Sequence, residues 1–384
     1  MNYFLTRSKE LFDETVANRR YIHENAEVGM DLPNTVRFVK EKLKEYGYDN
    51  VQELGGGVTC TVGQGEKVLL LRGDMDALPH MEESGEPFAC TNGACHSCGH
   101  DTHTAMLLTA AKMLKEKESE LKNTIKFMFQ PGEELLEGAN AMIAAGILEN
   151  PTVTCAIGMH SGGLPIGALR CCYGRTKAAA GFKVTVKGAD CHGSAPWTGV
   201  SALSAAANIV TMSQQIVGYD VTPGFDDTIT YGVFNSGTAE NTIPGEAILM
   251  GTIRSYDNDH MDFLKERFEA VINNVAAAAR VEVTIEYMRD MYGVVNNADV
   301  VDEFKEYLSE VTAELIVDRG NDRGSEDFAA VTVKVPSIFV NVGMGTKEEG
   351  YEYPGHHPKN RRDEKGMING AAAYANCAFR WANK

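Results

Sequence analysis

Lys67-Val68-Leu69-Leu70-Leu71-Arg72-Gly73 is a largely apolar run followed directly by Asp74. An apolar stretch of this length without polar alternation reads as a strand buried on both faces, the habit of a parallel sheet packed between helices. The preceding stretch, 58–63, also reads as a strand, and Gly63-Gln64-Gly65 between the two predicts a hairpin. Further strands are expected at 123–130 and 153–159, with helical patterns at 101–118 and 137–146. That order of strand, helix, strand, helix, strand is the signature of a mostly parallel α/β sheet. Asp74, Gln130 and His160 fall just past the expected strand ends. In open α/β sheets this carboxyl edge is where ligands bind.

The pattern changes from about 178 to 291. Strands are expected at 180–187, 228–235, 246–256 and 281–288, with helices at 201–217 and 261–279. The order β-α-β-β-α-β is the split βαβ, ferredoxin-like arrangement, which closes on itself. The chain therefore reads as an α/β domain of 1–177 and 292–384, interrupted by an inserted domain at 178–291 and ending in a helix at 365–382. A length of 384 residues agrees with two domains.

Thirty-six Lys and Arg face 53 Asp and Glu, a net charge of −17. Such a field repels nucleic acid and anionic membranes, so neither is an expected partner. The start of the chain shows no apolar signal segment and no transmembrane run, which predicts a cytoplasmic protein. Nine cysteines at irregular spacing suit free thiols and a metal-bound thiolate better than a disulfide scaffold.

Cys95-His96-Ser97-Cys98-Gly99-His100-Asp101-Thr102-His103 concentrates two cysteines and three histidines. A compact structural zinc module would need its second ligand pair within ~20 residues. After His103 there is no cysteine until Cys155 and no histidine until His160. Further ligands must come from distant loops, as in catalytic sites on rigid scaffolds. Cys98 and His100 can face one metal, while the alternatives for Cys95 and Cys98 are a redox pair or half of a structural zinc site. Glu133-Glu134 follows a Pro-Gly turn, where one carboxylate can bind metal while its neighbour takes a proton from water. It can equally be a solvated acidic turn before a helix. Singly, His160, His192 and His356-His357 also read as ordinary strand-end or loop residues. His80, His103 and His260 read as structural or surface residues. No G-x-x-x-x-G-K-[ST], H-E-x-x-H or G-x-S-x-G motif competes.

Further motifs run nearly end to end: Arg19-Arg20-Tyr-Ile-His23, Arg72-Gly-Asp74-Met-Asp76-Ala-Leu-Pro79, Gly237-Thr-Ala-Glu-Asn241-Thr-Ile-Pro244, Gly251-Thr-Ile-Arg254 and Ser325-Glu326-Asp327-Phe328. Together with the metal-type motifs, they make the chain resemble the metal-dependent amidohydrolases that include hippurate hydrolase, indole-acetyl-amino-acid hydrolases and N-acetyl-diaminopimelate deacetylase, relatives of the aminoacylases and of metal-dependent carboxypeptidases. The resemblance implies that Cys98, His100, Glu134, His160 and His356 hold two divalent metal ions per chain, zinc or manganese, with nickel or cobalt also compatible. It implies that Glu133 is the general base and that Asp76 orients the ligands from behind. His192, on the inserted lid and dimerisation domain, would donate to the scissile carbonyl in its own site or a partner's, and Asn241 and Arg254 would bind substrate oxygens. The implied assembly is a homodimer or homo-oligomer. The expected activity is hydrolysis of an N-acyl amino acid (N-acetyl, N-benzoyl or a similar conjugate) into a carboxylic acid and an amino acid. A dipeptidase or carboxypeptidase of the same family is the alternative, and a non-catalytic metal-binding protein is the alternative of another class.

Several positions depart from the family pattern. Cys95 stands where methionine is common, Ser97 where alanine is, Trp197 where histidine is and Asn360 where an aromatic is typical. His357 replaces the usual serine or threonine, leaving open whether it or His356 is the ligand.

Overall fold

In the computed structural model of the chain, which describes residues 2–322 and 324–384, Val68–Asp74 is a strand buried along its whole length. It lies inside an eight-stranded sheet, parallel to Thr124–Gln130 on one side and to Cys155–Gly162 on the other. Ser337–Gly343 continues the parallel run, and Leu315–Asp318 pairs parallel with Leu169–Cys172. Three pairings are antiparallel: Gln52–Leu54 with Gly57–Val62, Gly57–Val62 with Thr124–Gln130, and Ser337–Gly343 with Leu169–Cys172. The sheet is therefore mostly parallel within a mixed α/β fold, as its apolar runs imply.

The expected hairpin does not form. Gly57–Val62 and Val68–Asp74 are not neighbours, because Thr124–Gln130 lies between them and pairs with both. The connecting turn receives the start of that third strand: Thr124 donates its N–H to Lys67 O (3.0 Å) and its hydroxyl to Gly65 O (3.1 Å). A Cβ at Gly65 would meet Lys122 O at 2.4 Å, so glycine is what lets the strand in. Asp74 and Gln130 close their strands as register partners, whereas His160 lies inside its strand rather than past it.

The helices His100–Glu116 and Gly366–Ala382 pack together over the sheet, and their apolar residues share one core with Leu69, Leu71, Phe127 and Ile157. Tyr3–Glu10, Phe12–Glu24 and Pro33–Glu45 add three helices that the sequence reading did not single out. Asn2 caps the first through its side chain, and Pro33 opens the third at the position where its missing N–H costs nothing.

These elements belong to one compact unit, made of the chain up to Gly174 with Val294–Gly320 and Glu326–Lys384. Arg175–Gly293 and Asn321–Ser325 form a second unit. Its strands Ala178–Lys187, Thr228–Ser236, Glu246–Ser255 and Glu282–Met291 make an antiparallel sheet in the spatial order fourth, first, third, second. Helices Ala202–Gln215 and Asn258–Ala279 bury Ile209, Leu264, Phe268 and Ile272 against Phe182, Leu249 and Ile253. The Asp257 carboxylate caps the longer helix by accepting the N–H groups of Asp259 and His260. A two-residue ribbon, Cys191–His192 with Thr242–Ile243, was not expected from the sequence. No helix among the described residues is long and apolar enough to cross a membrane.

Candidate active site

The Cys98-Gly99-His100 turn enters the helix His100–Glu116 with Gly99 at φ 98°, in the left-handed region. A Cβ there would meet Arg362 Nε at 2.3 Å and Ser161 Oγ at 2.5 Å, so glycine alone allows the turn to lie against the Cys155–Gly162 strand. Cys98 Sγ consequently comes within 3.4 Å of His160 Nε2. Glu133 and Glu134 sit in the turn after Thr124–Gln130, where the two oxygens of the Asp76 carboxylate accept their backbone N–H groups at 3.0 and 3.1 Å.

Backbone carbonyls fix both imidazoles. His100 Nδ1 donates to Asp76 O and His160 Nδ1 to Ser161 O, each at 2.8 Å. A carbonyl only accepts, so Nδ1 carries a proton in each ring, and the lone pair of the neutral ring is on Nε2. His100 Nε2 lies 3.9 Å from both Glu133 Oε2 and Glu134 Oε1, and Glu134 Oε1 lies 3.5 Å from His356 Nε2. Cys98, His100 and His160 offer one donor atom each with all three within 4.8 Å, and so do Cys98, Glu134 and His356. His100 Nε2 and Glu134 Oε1 are buried without a hydrogen-bond partner. Two such acceptors are costly unless something positive lies between them. A donor set of thiolate, imidazoles and carboxylate fits divalent zinc or a neighbouring transition ion, and sharing of Cys98 and His100 among the overlapping groups fits two ions.

The site's electrostatics point the same way. Burial pushes the Cys98 thiol up to about 12, so its thiolate requires a cation at hand. Burial, reinforced by the negative Glu326, raises Glu133 well above the usual carboxylate range, giving it strong proton affinity. Burial holds His160 well below the ordinary imidazole value and therefore neutral.

Among the other predicted residues, His357 and Cys95 join no such donor group among the described residues. His357 Nδ1 instead accepts the Lys359 N–H at 3.1 Å, and its ring stacks on Tyr353. His103 is bonded to Asp74 Oδ1 (2.5 Å) and to the Ser161 N–H (2.7 Å), and with Asp74 and His100 it forms a further buried donor group. In the second unit the ribbon pairs His192 with Thr242, and Gly193 N–H donates to Asn241 O at 2.7 Å. His192 Nδ1 accepts the Ser194 N–H at 3.1 Å, which leaves Nε2 as the ring's N–H donor. Arg254 is not brought to this pair. It lies eight positions along its strand from Glu246, roughly 26 Å at about 3.3 Å per residue, and Glu246 lines one cavity with Thr242 of the ribbon. Trp197 is 80% exposed and packs into no core.

Two arginines with positioning roles escaped the sequence reading. Arg362 donates to Ser161 O (2.9 Å) and to Cys98 O, tying the Cys98 turn to the strand that carries His160. Arg72, wholly buried, donates to Gln130 (2.8 Å), Glu326 (2.8 Å) and Asp327 (2.9 Å), and the Asp327 N–H reaches Glu133 Oε1 at 3.4 Å. The Ser-Glu-Asp-Phe motif was the available signal, although nothing in it specified a partner.

Buried sulfur, imidazole and carboxylate donors beside a proton-hungry carboxyl, at the carboxyl edge of an α/β sheet, define the class of metal-dependent hydrolases. The family described as Peptidase family M20/M25/M40 matches residues 70–380, and the chain belongs to it. It is 33% identical to thermostable carboxypeptidase 2 of Saccharolobus solfataricus, an alignment covering 98% of this chain and 97% of the other. It is also 33% identical to IAA-amino acid hydrolase ILR1-like 4 of Arabidopsis thaliana, over 98% and 88% of the two chains. A solved Bacillus subtilis structure, a dinuclear metal-binding peptidase of family M20, superposes with a TM-score of 0.82 at 25% identity, over 97% of this chain and 99% of that one. The family resemblance seen in the sequence is thus borne out, and with it a metal-dependent amidohydrolase or peptidase.

Proposed function

We infer that the protein hydrolyses the amide bond of N-acyl amino acids, releasing a carboxylic acid and an amino acid. The observation that carries this reading is the convergence of Cys98, His100, Glu134, His160 and His356 around unpartnered acceptor atoms, with Glu133 beside them. Two divalent ions held by these residues, zinc or manganese, would supply Lewis acidity and bring the pKa of a water from ~15.7 toward neutrality. Glu133 takes the water's proton and returns it to the leaving nitrogen, a role suited to its raised proton affinity. Asp76 keeps Glu133 and Glu134 in step through their backbone N–H groups. His192 donates Nε2–H to the oxygen of the scissile carbonyl, and Asn241 and Arg254 bind substrate oxygens.

The distance between Arg254 and the His192 ribbon within one unit supports a homodimer in which His192 reaches a partner's site. Co-expressed Glu133→Gln and His192→Ala chains test this, because mixed dimers then regain one complete site, whereas action within one chain leaves every site incomplete. We place the enzyme in the cytoplasm.

The relative named as an IAA-amino acid hydrolase supports the acyl-amino-acid reading, and the relative named as a carboxypeptidase supports a peptide substrate as the second reading. A chromatographic screen of metal-loaded enzyme on N-acetyl, N-benzoyl, N-fatty-acyl and indole-acetyl amino acids and on dipeptides separates them. Release of amino acid from N-acyl conjugates is expected. Turnover confined to peptides would favour the second reading, and none with a full metal load would sink both.

A further inference from the structure

A cavity of about 320 Å³ begins at His160 and Ser161 and runs along the loop after the Ser337–Gly343 strand, lined there by Lys347, Tyr351, Tyr353 and Arg361. Its charge runs against that of the chain. The protein carries −17 overall, yet Lys347, Arg361 and Arg362 line this cavity against one carboxylate, Glu352. Arg362 is committed to the carbonyls of Ser161 and Cys98. The other two cations are not committed. Lys347 is exposed without an ion-pair partner among the described residues, and Arg361 reaches only Gly350 O, at 3.5 Å.

The Glu349 carboxylate accepts the Thr346 N–H at 2.9 Å and does not line the cavity. Tyrosine rings give the cavity walls: Tyr351 donates to Asp363 at 2.9 Å, and Tyr353 stacks on His357 with ring centroids 4.4 Å apart. Asn360 donates its amide to Tyr353 O at 2.7 Å. The result is a partly apolar channel that starts at a candidate metal ligand and carries, on its exposed part, two cations outside any ion pair among the described residues against one carboxylate.

We propose that this cavity receives a substrate arm ending in a carboxylate, so that the preferred N-acyl amino acids carry a second acidic group. The inference rests on the hydrolase reading above only in taking His160 to lie beside the scissile amide. The acid can belong to the amino-acid side chain or to the acyl chain. Both place a carboxylate a few methylenes from the amide, within the reach of a cavity this size. Two separate cations suit a carboxylate, whereas a phosphate draws a denser donor set.

The test compares metal-loaded wild type with a Lys347→Gln/Arg361→Gln double variant. Both positions are exposed, so folding is not at stake. One arm pairs N-acetyl-glutamate with N-acetyl-glutamine, and the other pairs N-succinyl-leucine with N-acetyl-leucine. Wild type is expected to prefer the acid in one arm by about tenfold in kcat/KM, and the double variant to lose most of that ratio, as charges at a rim act. The preference should also shrink from low to 0.5 M salt, where the Debye length falls to about 4 Å. Glutarate binding by calorimetry reads the cavity without turnover, and the variant is expected to bind it about tenfold more weakly. Equal glutarate binding by the two proteins, or wild-type preference for neither acid, overturns the proposal. Weakened glutarate binding in an enzyme that cleaves no N-acyl amino acid would support the cavity and remove the hydrolase reading instead.

Discussion

Cys98, an expected metal ligand, and His192, the expected donor to the scissile carbonyl, are held in contrasting ways. Around Cys98 the supports are buried and come from distant parts of the chain. Asp76 grips the Glu133-Glu134 turn, Arg362 bridges Cys98 and Ser161, and Asp101 binds Arg19 Nε (2.7 Å) and His23 Nδ1 (2.8 Å) behind His100. His192 sits exposed on a two-residue ribbon, fixed by Ser194 next to it and Asn241 across it. The difference teaches which functions need rigidity. Donors that must enclose a cation are preorganised at the expense of many buried polar groups, whereas a group that assists only during reaction needs little more than the correct tautomer.

The most severe way to break this comparison is Glu133→Gln. Metal content should remain, and kcat should fall by about 10²–10⁴, the usual contribution of general acid–base catalysis. Steady-state kinetics alongside metal analysis decides it, and near-normal turnover with bound metal would remove Glu133 as the base.

His192→Ala probes the other region. We expect metal content and melting temperature to hold while kcat falls by about 10²–10³, the effect of losing one oxyanion donor. A lower melting temperature with full turnover per folded molecule would make His192 a structural residue. Smaller again is Arg362→Met, which removes the bridge between ligand-bearing segments without touching a donor atom. Metal affinity should weaken by about 10–100-fold, as for other residues that support ligands. Titration against a chelator buffer measures this, and unchanged affinity would show that Gly99 packing alone holds Cys98.

The smallest expected effect concerns pH. Burial opposes a charged His23, but Asp101 and Glu82 raise its pKa to about 9, above the ~6.5 of an unfolded histidine. A raised folded-state pKa contributes stability that is complete below the unfolded value and disappears as pH rises through the folded one. The urea midpoint of wild type should therefore decline between pH 7 and about 9.5. His23→Gln should lower stability at pH 7 and flatten that decline, and parallel curves for the two proteins would refute the assignment.

The site was more legible in the sequence than the strand order. Cysteine and histidine declare their chemistry by residue type, so the Cys98-Gly99-His100 cluster stood out without structural help. The false hairpin between 58–63 and 67–73 arose because the true partner, Thr124–Gln130, lies some sixty residues away and local turn signals do not report it. Phe12–Glu24 was passed over because much of what it buries is polar (Thr15, Asn18, Arg19 and His23), which leaves no apolar stripe to read. The ribbon at His192 is too short for any periodicity. Arg72 and Arg362 bond carboxylates and carbonyls remote in sequence, and an arginine's partners cannot be inferred from its neighbours along the chain.

Asp76 also bears on which ion serves. One carboxylate holds the amides of both Glu133 and Glu134, and the same residue's carbonyl holds His100. Glu134, the expected ligand, and Glu133, the expected base, thus share a single anchor, so a displacement of one carries the other with it. Swapping zinc for manganese or cobalt should then alter rate mainly through the acidity each ion confers on water, with the proton acceptor keeping its station.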